Sequence, residues 1–191
     1  MTEKRGFNFI VLVPVIIFAG ILAAAAWGLW ERRQAQLEGR DPNALPLAMQ
    51  GQAAPALTLQ EMPVRAMFTG EDLSGDGIKL VNFWASWYTP CRVEHPVLTD
   101  LAAQGLPLYG VNYKDDPADA AAFLNELGDP YTGIGADPSG RNGINWGVIA
   151  MPETFIIDGD GRILLRHAGP ITSRVLETII DPALAAAGYS R

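Results

Sequence analysis

The chain of 191 residues is short of several things. It has one cysteine, two histidines, and 14 basic residues against 21 acidic ones. A lone cysteine excludes a disulfide within the chain and a cysteine-rich zinc site. His95 and His167 are too few for a metal centre, so no metal is expected, and no other cofactor is expected either. The formal net charge of −7 argues against a nucleic-acid partner, because such binders carry a basic surface. No internal repeat stands out, and the Ala-rich C-terminal end is the nearest thing to low complexity. Charged residues are only 18% and hydrophobic residues 49%. A disordered chain is poorer in apolar residues, so a packed core is expected.

The apolar residues are unevenly spread. From Phe7 to Trp30, 24 consecutive residues include no Asp, Glu, Lys or Arg. At about 1.5 Å per helical residue this run exceeds the ~30 Å hydrocarbon core of a bilayer. Glu3, Lys4 and Arg5 precede it, and Glu31, Arg32 and Arg33 follow. Trp27 and Trp30 sit at its distal end, where indole rings prefer the interface. Pro14 is placed to bend it. The run predicts a transmembrane helix over 7–30 behind a tail of 1–6. A cleaved secretory signal is the competing reading. Its apolar region normally runs about 7–15 residues, shorter than this one, although Ala23–Ala26 offers small residues for cleavage. Charge encodes orientation weakly: Lys4 and Arg5 favour the N-terminus inside, and Arg32, Arg33 and Arg40 oppose it.

Residues 31–52 read as a linker, marked by Gly39, Pro42 and Pro46. Residues 53–191 are then one domain of ordinary size. From residue 41 onward there are 18 acids and nine bases, so the acidity belongs to this domain. Residues 78–84 form a short apolar run after the Asp76-Gly77 turn and predict a buried strand. A helix over 90–104 follows, with Pro90 in its first turn. A strand over 106–113 and a helix over 117–127, stopped by Gly128, come next. Residues 154–158 and 162–167 flank Gly159-Asp160-Gly161, a hairpin signal. A helix over 172–187 closes the chain. The alternation predicts an α/β domain with a mixed sheet.

Chemistry concentrates in Trp84-Ala85-Ser86-Trp87-Tyr88-Thr89-Pro90-Cys91-Arg92-Val93-Glu94-His95-Pro96. The stretch lies where a strand hands over to a helix, whose first backbone N–H groups stabilise a thiolate. It resembles a thioredoxin-fold active site. Three further segments narrow the resemblance: Gly110-Val111-Asn112-Tyr113-Lys114-Asp115-Asp116, Pro152-Glu153-Thr154-Phe155-Ile156-Ile157-Asp158, and Arg166-His167-Ala168-Gly169-Pro170. Together they resemble the membrane-anchored thiol:disulfide interchange proteins of cytochrome c maturation, the DsbE/CcmG family.

The resemblance implies a thioredoxin fold, a mixed sheet flanked by helices. It implies a single-pass anchor in the bacterial inner membrane, the N-terminus cytoplasmic and the domain periplasmic. It implies a thiol:disulfide oxidoreductase that reduces apocytochrome c disulfides before haem attachment. The implied partners are apocytochrome c or another maturation component, and a membrane-embedded thiol reductant. The family motif is Trp-Cys-x-x-Cys. Here Tyr88 stands at the nucleophile position and only Cys91, at the resolving position, remains. A phenol cannot form or exchange a disulfide, so exchange is expected to be impaired. The alternative is a redox-inactive module that binds apocytochrome or a maturation partner.

Glu94, three residues after Cys91, shares its helical face. The resemblance implies an acidic site of Glu94 and Glu153; a solvated surface role is the other reading of Glu94. Cys91 is either a residual thiol able to form mixed disulfides or an inert buried residue. Most X-Pro bonds are trans, but the resemblance implies that Met151–Pro152 is cis and helps to bind an extended peptide. Trp87, Pro90, Met151 and Pro152 are therefore the candidate substrate contacts. Trp84 ends a buried strand and is expected in the core. Asp158-Gly159-Asp160-Gly161 resembles a calcium loop, but Gly169 stands where its twelfth-position Glu belongs, so a hairpin turn is expected.

Overall fold

The computed structural model describes residues 13–37 and 49–189. The chain divides into two units, Met1–Ala44 and Leu45–Arg191. In the first, helix α1 (Val13–Leu37) presents Ile16, Ile17, Phe18, Ile21, Leu22 and Leu29 as exposed side chains. The Trp27 and Trp30 rings lie 5.9 Å apart. The helix runs past Trp30 because residues 31–37 include no Gly or Pro to stop it. Among the described residues no helix is long and apolar enough to cross a membrane. The expected tail at 1–6, residues 7–12 of the expected span and residues 38–48 of the expected linker lie outside the described residues.

The second unit follows a thioredoxin-like plan. Its elements are β1 (Lys79–Trp84), α2 (Thr89–Ala103), β2 (Leu108–Tyr113), α3 (Pro117–Leu127), β3 (Gly133–Asp137), α4 (Arg141–Asn145), β4 (Glu153–Ile157) and β5 (Ile163–Ala168). Helix α5 (Ser173–Val175) then passes through a π-helical turn (Leu176–Ile180) into α6 (Asp181–Ala186). The five strands lie in the order β3-β2-β1-β4-β5. β2 runs parallel to both β1 and β3, and β4 is antiparallel to both β1 and β5. The expected mixed sheet is present.

β1 is central, and all six of its residues are buried. A strand covered on both faces needs a continuous apolar run, which Leu80, Val81, Phe83 and Trp84 supply. Its one buried cation, Lys79, donates to the carbonyls of Gly75 (2.8 Å), Asp76 (3.3 Å) and Gly77 (3.3 Å). Asp116 caps α3 by accepting from Ala118 N at 2.8 Å. Aromatic rings fill the centre of the core: Trp146 meets Phe155 edge-on at 5.0 Å and Trp84 stacks on Tyr131 at 5.7 Å. Trp84 is 1% exposed, a core residue as expected.

β3 and α4 have no counterpart in the sequence reading. Gly133-Ile134-Gly135-Ala136-Asp137 lacks alternation and includes two glycines, both poor strand signals. The glycines serve packing. A Cβ on Gly133 would meet Phe68 Cβ at 2.9 Å, and one on Gly135 would meet Leu59 at 2.6 Å. The segment before β1 covers both edges of the sheet. Gln60 bridges to Ala136 of β3, and Ala53 bridges to Arg162 beside β5. Unpaired edge strands invite pairing with other chains, and these bridges blunt both.

Candidate functional site

The turn between β1 and α2 is fixed mainly by Asp115. Its carboxylate accepts from Ser86 N (2.6 Å), Ser86 Oγ (2.8 Å), Asn112 Nδ2 (2.8 Å) and Asp116 N (3.0 Å). Tyr88 occupies the cap of α2 with extended dihedrals and no side-chain cap bond. Pro90 in the first turn needs no such partner, since it lacks the N–H. Trp87 is 57% exposed, and its indole N–H donates to Lys114 O at 3.1 Å. Lys114 has φ 47, a left-handed conformation uncommon outside glycine, which aims that carbonyl at the indole. The Trp87 and Tyr88 rings meet edge-on at 5.7 Å.

Trp87, Tyr88 and Tyr113 form one wall of a groove of about 250 Å³. Val148, Ile149, Ala150 and Met151 form the other. The Met151–Pro152 bond is cis, as the resemblance implies. The groove is apolar apart from phenol and backbone groups, so it suits an extended peptide with apolar side chains.

Cys91 sits one turn into α2 and is 2% exposed. Burial pushes its thiol up to about 12; a backbone hydrogen bond from the Ala85 region opposes this, and Glu94 and Asp115 add to it. The sulfur is therefore a protonated, poorly nucleophilic thiol at neutral pH. Glu94 is fully buried, which removes the solvated-surface reading. Burial pushes its carboxyl up to about 7, opposed by two hydrogen bonds. One oxygen accepts from Asn82 Nδ2 at 2.9 Å and the other from Ile171 N at 3.1 Å. Asn82 also donates to Thr154 Oγ1 at 3.0 Å and accepts from Tyr131 OH at 2.8 Å. Every polar atom of the Asn82 amide and the Glu94 carboxylate is thus engaged in a buried network.

Glu153 is also buried, but it faces elsewhere. One carboxylate oxygen accepts from Arg166 Nε and the other from Ile149 N at 3.1 Å. Burial raises its pKa, while Arg166 and the Ile149 amide pull it back. The carboxylates acting on Cys91 are Glu94 and Asp115. Glu153 is not one of them, which corrects the acidic pair of Glu94 and Glu153 that the resemblance implies, because Glu153 is held by Arg166 and the Ile149 amide.

The structure therefore gathers Trp87, Tyr88 and Met151 around one groove, with Pro90 and Cys91 in the adjoining helical turn and Glu94 beneath them. Pro152 is buried at the end of the groove wall, its carbonyl accepting from Gly169 N at 2.9 Å. Asn82, Asp115, Tyr131 and Arg166 were given no role from sequence. An asparagine inside an apolar strand run was the available signal for Asn82. The Asp158 carboxylate accepts from Asp160 N and Arg162 N of its own turn, the geometry of a hairpin.

The redoxin family profile matches residues 49–180. The thiol:disulfide interchange protein HelX of Rhodobacter capsulatus is 47% identical over 92% of this chain and 96% of its own. A DsbE homologue of Paracoccus denitrificans is 50% identical over 94% and 98%. The DsbE of Escherichia coli K12 is 42% identical over 91% and 92%. A crystal structure from Chlorobium tepidum assigned to DsbE superposes with a TM-score of 0.58 at 30% identity, covering 71% of this chain and 97% of that one.

Proposed function

The chain belongs to the redoxin family and, within it, to the DsbE/CcmG thiol:disulfide interchange proteins, and from that membership we propose that it serves cytochrome c biogenesis as a membrane-anchored periplasmic protein impaired in disulfide exchange. Residues 7–30 tether it to the inner membrane, 1–6 are cytoplasmic and 31–52 link the tether to a domain of 53–191. Its client is apocytochrome c or another maturation component, held in the groove beside Pro152. The family reaction takes two electrons and two protons from a dithiol, which becomes a disulfide, and turns a client disulfide into two thiols. A membrane-embedded thiol reductant then restores the dithiol.

One observation carries the impairment. Cys91 is the sole sulfhydryl of the chain, is buried, and has its thiol pushed up to about 12. Tyr88 stands at the nucleophile position, and its phenol cannot attack a disulfide. Cys91 alone has no partner with which to resolve a mixed disulfide. A second reading, a binding module that holds the client without exchange, is favoured by Tyr88 lining the groove.

The test is covalent haem staining of c-type cytochromes in cells that lack their own copy of this protein, supplied with this chain or with Tyr88→Cys. Staining restored by the cysteine form alone supports the impaired oxidoreductase. Equal staining with both overturns it and supports the module.

A further inference from the structure

Arg166 and Glu153 tie the far wall of the groove to the sheet. Arg166 pairs in register with Phe155 across β5 and β4, which places its side chain diagonal to Glu153. The guanidinium uses three directions. Nε donates to Glu153 Oε1, Nη2 donates to Gly147 O at 2.5 Å, and the plane lies over the Phe155 ring, 6.0 Å from its centroid. Glu153 Oε2 then accepts from Ile149 N. Gly147, at φ 67, turns the chain beneath Arg166. The 147–151 loop supplies Val148, Ile149, Ala150 and Met151 to the groove, yet Ile149 is 60% exposed and has little packing to hold it.

We propose that Arg166 and Glu153 form a clamp that presets the 147–151 wall of the groove for an extended peptide. Both are positioning residues. Glu153 acts on the backbone of the wall and not on the thiol, and Arg166 joins it to Gly147. A fork is required, because one side chain must reach a carboxylate and a carbonyl in fixed directions; a lysine ammonium offers no such fork. A preset wall lowers the ordering cost of binding.

This inference rests on the proposed peptide client, so its test has two readouts on the full chain in detergent micelles. The first is the intrinsic tryptophan fluorescence, to which the exposed Trp87 at the groove contributes, on titration with a 15-residue peptide carrying a Ser-x-x-Ser-His centre, the exchange-inert form of a haem-attachment segment. Arg166→Met is expected to weaken binding at least tenfold, and Arg166→Lys to recover only a small part of that loss. The second is amide hydrogen exchange. The Ile149 amide is expected to exchange at least tenfold faster in Arg166→Met and in Glu153→Gln, while the β1 amides keep their rates.

Unchanged Ile149 exchange in both variants overturns the clamp, as does peptide affinity within twofold of the parent. Acceleration of all amides alike also overturns it, because that is a global loss of stability. If the parent itself ignores the peptide, the client reading fails and Ile149 exchange alone decides the clamp. If Arg166→Met does not fold, Arg166→Lys decides both readouts.

Discussion

Glu94 has the most to change near neutral pH among the buried carboxyls. Its carboxyl titrates near 4.5 when solvated and is pushed up to about 7 by burial in the fold. Between those values the folded state binds more protons than the unfolded one. Stability is therefore full below pH 4.5, falls as pH rises toward 7 and is level above. The shift corresponds to roughly 3 kcal/mol. Urea unfolding of Glu94→Gln is expected to lose this decline; a variant that keeps the parent's slope between pH 4.5 and 7 would contradict it. The same substitution removes a carboxylate that opposes thiolate formation, so Cys91 should alkylate faster at pH 8. At this scale the sequence was partly legible. Cys91, Glu94 and Trp87 were identifiable from spacing and motif. Asn82, Tyr131 and Arg166 were not, because their roles depend on partners 72, 49 and 13 residues away in sequence. Periodicity reports which face a residue occupies, and says nothing about what crosses the core to meet it.

At the scale of elements, helix α3 rests on local signals, and its expected span of 117–127 is the one found. Asp116 caps it, Pro117 opens it and Gly128 ends it at φ 93. Asp116→Ala leaves the Ala118 amide without its side-chain acceptor and is expected to cost about 1 kcal/mol, read as a lower urea midpoint with an unchanged slope. No loss would mean that solvent replaces the cap fully. The β4–β5 hairpin was equally legible, since its turn signal lies in three consecutive residues, Gly159-Asp160-Gly161. β3 was not. Its glycines are selected by Leu59 and Phe68 lying over them, and those contacts come from a segment with no strand or helix of its own. The β1–α2 turn is intermediate: the sequence places it, but Asp115 on another loop sets its shape.

For the whole molecule, composition alone marks the uncharged run over 7–30 and the acidity of the residues from 41 onward. The absence of charge over 7–30 is a property of the run itself, and the fold cannot change it. Which surfaces remain chemically addressable, by contrast, only the fold decides. The chain has three lysines, Lys4, Lys79 and Lys114. Lys79 is buried with its ammonium in a ring of three carbonyls, while Lys114 is exposed beside Tyr113 at the groove. Amine-reactive cross-linkers should therefore pass over Lys79. Over residues 49–189 they have Lys114 as their one accessible primary amine. Within residues 49–189, mass spectrometry of chains cross-linked to a captured client should place the linkage at Lys114, so that Lys79 acts as a built-in silent control for an intact fold.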